Sequence, residues 1–165
     1  MRDVITDLKM VMVRELGAFQ REIECFPDDE LMWTTPPGVT NSAANLALHA
    51  CGSMQHFVGA VLGGTGYVRN RDLEFSRRSG TRAELVRELQ KTAQVVDATL
   101  SKLDDATFNA QYPEAIRGFE FTTHRVLVHM ATHLAFHLGQ AGYLRRVLTG
   151  ENVSSSPLSM QELVG

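Results

Sequence analysis

Apolar residues at positions 5, 8, 12, 16, 19, 23 and 26 recur in steps of three and four, the spacing that gives a helix one buried stripe. Pro27 and the acids Asp28, Asp29 and Glu30 end that pattern. Pro36, Pro37 and Gly38 then bar a continuous helix, and Thr40, Asn41 or Ser42 can cap the next one. This second helix is expected over about 41–62, carrying Leu46, His49, Ala50, Met54, Phe57, Val58 and Val61, with Gly63 and Gly64 as its stop. Thr81 followed by Glu84 matches a capping box, and Leu85, Leu89, Ala93, Val96, Leu100 and Leu103 carry a third stripe to Asp104. Thr122 or Thr123 opens a fourth helix reaching about 149, with Arg145 and Arg146 where the helix dipole favours cations and Gly150 beyond.

Four amphipathic stripes and no convincing strand pair predict an all-α chain, a four-helix bundle that buries the stripes against one another. Two connections are longer than such a bundle needs. Residues 63–80 show neither period and read as an ordered loop or lid; residues 105–121, with Pro113 and Gly118, read as a connection with a short strand or turn. Residues 1–150 form the bundle in this reading, and the polar tail 151–165 packs on the same domain or trails from it. A chain of 165 residues can bury such a core without disulfides, and Cys25 and Cys51 read as free thiols in apolar surroundings.

The formal charge of −3 argues against a general affinity for nucleic acid, which requires a basic face. Apolar runs are interrupted well before the roughly 20 residues that cross a bilayer, and the opening MRDVITDLKM has acids where a signal peptide would be apolar. The expectation is a cytoplasmic protein with no membrane or nucleic-acid partner.

The segment HMATHLAFHLGQ, residues 129–140, places His129, His133 and His137 four residues apart in otherwise apolar surroundings. At about 100° per residue, His133 and His137 lie roughly 40° apart and one turn along, so both rings can reach one point. Gln140 is nearly in line with His133. On the second helix His49 sits inside the apolar stripe, with Asn45 one turn before it and His56 two turns after; His124 points away. One buried histidine ordinarily donates to a backbone carbonyl and does nothing more. Several imidazoles in one core, at roughly 1–3 kcal/mol for each unsatisfied group, need a partner, and a divalent metal supplies one by taking a lone pair from each neutral ring. Two ligands from the fourth helix and one from the second leave a coordination position open, the catalytic rather than the structural pattern.

The segments NLALHACGSMQHFVGAVLGG and HMATHLAFHLGQAGYLRR resemble the two signature regions of the DinB/YfiT-like superfamily of four-helix-bundle proteins, and the similarity extends through PPGVTNS and GYVRNRDLEFS to Gly150. The resemblance implies His49, His133 and His137 as metal ligands. It implies a divalent cation, zinc or nickel first and iron or manganese as alternatives. It also implies a metal-dependent hydrolase, or a transferase that adds a low-molecular-weight thiol to a small electrophilic substrate. Asn45, His56, Tyr67, His129 and Gln140 are candidates for places beside the metal or in its pocket. The arginines Arg69, Arg71, Arg77 and Arg78 either receive a carboxylate of a thiol cosubstrate or form a solvated surface. The fourth-helix pair encloses Leu134, Ala135 and Phe136 with no glutamate, which leans away from peptidase chemistry. The alternative is a non-catalytic bundle that binds a metal or small ligand as a sensor or structural dimer; a homodimer is expected in either case.

Overall fold

The computed structural model describes residues 2–155 and 159–163, and they form an all-helical fold with no strand longer than an isolated bridge. Four long helices dominate: α1 (Arg2–Glu24), α2 (Ala43–Met54), α4 (Arg82–Leu100) and α6 (Thr123–Thr149). Two short helices, α3 (Arg71–Ser76) and α5 (Asp105–Asn109), lie in the long connections. The long helices pack in a ring in which α1 and α2 each touch both α4 and α6.

The predicted stripes are the surfaces that meet. Ile5, Met12, Leu16, Phe19 and Ile23 are buried on α1, with Phe26 just beyond it, as are Leu85, Leu89, Val96 and Leu100 on α4. Each such side chain contributes roughly 1.5–3 kcal/mol when fully removed from water. The predicted caps form where the orphan amides at each helix start require them. Ser42 accepts from the amide of Asn45, Thr81 and Glu84 make both halves of the capping box, and Thr122 accepts from Arg125.

Several expectations are corrected. The second helix does not run evenly to residue 62: after Met54 it widens into a π-helical segment, Gln55–Ala60, a form frequent near functional sites. The third helix stops at Leu100 rather than Asp104, because the chain turns there and Asp104 instead caps α5 through the amide of Thr107. The segment read as an aperiodic loop over 63–80 contains α3, started by the Asn70 side chain accepting from the amide of Leu73.

Arg145, expected near the C-terminus of its helix where the dipole favours cations, is fully buried. Its Nε donates to Glu22 Oε2 at 2.6 Å and its Nη2 to the carbonyl of Val153 at 2.5 Å. Ser155 also hydrogen-bonds Glu22, and Arg21 Nε donates to the Ser155 carbonyl at 3.0 Å. Val153 and Ser155 are thereby tied to α6 and α1. No helix among the described residues is long and apolar enough to cross a membrane.

Candidate metal centre

His49 from α2 and His133 and His137 from α6 meet where those two helices pack. Residues 133 and 137 stand one turn apart, so both rings face the same neighbour, and the apolar stripe of α2 delivers His49 opposite them. His133 Nε2 lies 3.1 Å from His49 Nε2 and 3.2 Å from His137 Nε2, and the three candidate ligand atoms fall within 4.8 Å of one another. Nitrogens bound tetrahedrally at about 2.0–2.1 Å from one ion are separated by roughly 3.3–3.4 Å. The two separations from His133 Nε2 are close to that geometry.

Hydrogen bonds on the far side of two rings decide where their protons sit. His49 Nδ1 lies 2.8 Å from Glu74 Oε2, a contact that a carboxylate permits only if Nδ1 donates. His137 Nδ1 lies 2.8 Å from Gln140 Oε1 and donates to it. In the neutral form, the Nε2 atom of each of these two rings therefore presents a lone pair inward. His133 Nε2 faces both, and its Nδ1 is buried without a hydrogen-bond partner among the described residues. A proton on His133 Nε2 can satisfy one inward lone pair well but not two. A proton on Nδ1 leaves a buried donor orphaned and turns three lone pairs on one another. A cation at the centre relieves either conflict, so the residues fit a divalent metal by the chemistry of their donors.

His133 and His137 are suited to stay neutral. Burial, then the nearby charges of His137, His49, His129 and Arg69, pushes His133 down to about 3. Burial also lowers His137, against the hydrogen bond to Gln140, which raises it. Glu74 is 5% exposed, and burial alone would raise its carboxyl. The hydrogen bonds and charges of Arg69 and His49 outweigh that and hold it below the usual carboxylate range. Arg69 clamps both carboxylate oxygens, Nε to Oε1 at 2.7 Å and Nη2 to Oε2 at 2.8 Å, and also donates to Ser53 Oγ at 2.8 Å. Glu74 can approach α2 so closely because residue 52 is glycine; a Cβ there would fall on its carboxylate.

The other sequence candidates take different places. Asn45 is buried and donates from Nδ2 to the carbonyls of Glu74 and Arg77, fastening the end of α3 to α2 rather than reaching the histidines. His56 lies 3.4 Å from Glu114. His129 is exposed and lines the same cavity as His49 and His133, its ring centroid 5.9 Å from that of His133. Tyr67 lines a separate cavity of about 180 Å³ beside Gly52 and Glu74, and burial, then the charges of Glu74 and Glu88, raises its hydroxyl. Of the loop arginines, Arg69 holds Glu74, Arg77 pairs with Glu84 and lies over Trp33, and Arg78 bonds backbone carbonyls.

His49 and His133 open onto a cavity of about 690 Å³ whose wall includes Phe57, Met130, Glu114 and Arg71. Glu74, Ser53 and Gly52 were not singled out from the sequence. The available signal was the requirement that a buried imidazole have a partner, combined with Asn70 standing as a cap before RDLEFS.

The three histidines can hold a metal ion. No curated protein matches the chain. Residues 2–161 match the family described as "Protein of unknown function (DUF1572)", a DinB-like family, and the chain belongs to it.

Proposed function

We propose that this chain is a DinB-type four-helix bundle and a cytoplasmic metal-dependent enzyme. It acts on a small electrophilic substrate, either by hydrolysis or by transfer of a low-molecular-weight thiol. The observation that carries the reading is the convergence of three imidazole nitrogens, two with their outer nitrogens committed to Glu74 and Gln140, at the wall of a cavity large enough for a small molecule. Zinc or nickel is the proposed occupant, with iron or manganese as alternatives, since imidazole donors accept all of these. A divalent ion bound there supplies Lewis-acid activation of water or a thiol at neutral pH.

The chain's own residues prepare that chemistry. Glu74 fixes the His49 tautomer and ring direction, and Arg69 fixes Glu74 with a two-point grip that a lysine would not reproduce. Phe57, Ile116 and Met130 give the cavity an apolar surface that limits water around a bound electrophile. Glu114 places a carboxylate on the same wall, within reach of His56, where it can hold or move a proton. We further propose a homodimer through the exposed stripe of α6 carrying Phe136, Tyr143 and Val147, which sedimentation would detect.

The reading is tested by incubating zinc- or nickel-loaded protein with epoxides, alkyl halides and activated esters, each with and without a panel of small thiols. Metal-dependent conjugation or hydrolysis, absent in His133→Ala, is expected. No metal-dependent turnover across the panel would instead leave a non-catalytic binding module.

A further inference from the structure

Three features of the long connections converge on the cavity beside the histidines. The first is Arg117, at φ 53° the only non-glycine residue with positive φ among the described residues. It sits with Gly118, φ 83°, at the tip of a two-residue turn closed by paired hydrogen bonds between Ile116 and Phe119. Both central residues at positive φ make a type I′ turn, a site suited to Gly or Asn and unfavourable to a long side chain. The turn is anchored: the amide of Tyr112 donates to the Phe121 carbonyl at 2.8 Å, and the buried Tyr112 hydroxyl donates to the carbonyl of Phe57 in the π-helical segment at 2.7 Å. The strained arginine is thus held on the cavity wall rather than on a free loop.

The second is Arg71, the first residue of α3, on the same wall with its guanidinium 4.9 Å from the Phe75 ring. Neither Arg71 nor Arg117 makes an ion pair among the described residues, whereas Arg69 is committed to Glu74. The third is the charge balance. Beside Arg69, which is committed to Glu74, two further guanidiniums face one carboxylate, Glu114, and imidazole ligands bring no negative charge to a divalent ion. Such a wall selects for negative charge.

We infer that Arg71 and Arg117 together bind an anionic group, a carboxylate or phosphate ester, of the small molecule that enters the cavity. The inference deepens the proposed function by naming its substrate class and rests on that reading for what the far end of the ligand does. The guanidiniums come from two connections far apart in sequence and offer the planar donor pairs that match carboxylate and phosphate oxygens. The apolar surface of Phe57, Ile116 and Met130 accommodates the ligand's body.

Calorimetric titration of the zinc-loaded protein with benzoate, phenyl phosphate and neutral benzamide tests this. At least one anion should bind tenfold or more tightly than benzamide, and the tighter of the two assigns the group as carboxylate or phosphate ester. Arg71→Ala and Arg117→Gly should each weaken that anion about tenfold. The glycine variant keeps the turn's backbone, so its effect reports the lost guanidinium. Arg87→Ala, on α4 beside a different cavity, should leave affinity unchanged. Equal binding of benzamide and the anions, or unchanged affinity in both cavity variants, would overturn the inference. Repeating the titrations without metal separates the two claims: if the chain holds no zinc, the metal reading fails, while a persisting dependence on both arginines sustains the anion site and its loss removes it.

Discussion

His49 Nδ1 and Glu74 Oε2 lie 2.8 Å apart, and this one contact joins a helix that carries a candidate ligand to a short helix inside a connection that shows no sequence period. It sets which nitrogen of His49 bears the proton, and thereby aims the other at His133.

Glu74→Gln should weaken divalent metal binding by about 10–100-fold, the usual consequence of losing a carboxylate behind a histidine ligand. Gly52→Ala should do the same without touching a charged residue, because its methyl would displace the Glu74 carboxylate. Competition with a chromophoric chelator measures both. Wild-type affinity in both variants would mean that Glu74 does not orient His49.

The sequence made the long helices legible because their stripes and caps are local: Ser42, Thr81 and Thr122 each satisfy an amide three residues on. The histidine convergence was legible for a similar reason, since a spacing of four on one helix fixes two rings and the stripe of α2 directs the third. Glu74 was hidden because nothing local shows that an acid in an arginine-rich stretch will be buried; its environment is built by Arg69, Ser53 and the missing side chain at Gly52. Arg145 misled in the opposite way. Its place near a helix C-terminus suggested a cation serving the helix dipole, while its partner Glu22 lies 123 residues away on α1. Arg117 left no signal either, because its backbone conformation follows from a turn that only the surrounding packing defines.

Acid should destabilise the metal-free protein in a defined window. His133 is held at about 3 when folded, against about 6.5 in an unfolded chain. The unfolded state therefore binds more protons between those values, and stability must fall as pH drops from about 6.5 toward 3. Glu74, lowered when folded, adds loss in the same direction below the ordinary carboxylate range. Thermal unfolding of chelator-treated protein at pH 7.5, 6 and 5 should show a steadily falling Tm, with a shallower slope in His133→Ala. A Tm that is flat or rises toward pH 5 would contradict this.

Breaking the Arg145–Glu22 pair from one side should be severe, since both groups are almost completely shielded from water. Arg145→Ala leaves a buried carboxylate uncompensated and should cost about 3–5 kcal/mol in urea unfolding. The double variant Arg145→Met with Glu22→Leu should recover part of that loss. A single variant within about 0.5 kcal/mol of wild type would show that the pair and the tail segment it holds add little to stability.

Cobalt(II) titration of protein prepared without a histidine tag tests the metal centre most directly. One equivalent per chain should bind, with visible absorption of a nitrogen-ligated site, and His133→Ala should lose both the stoichiometric binding and the spectrum. Identical cobalt binding and spectra in wild type and His133→Ala would contradict a metal held between α2 and α6.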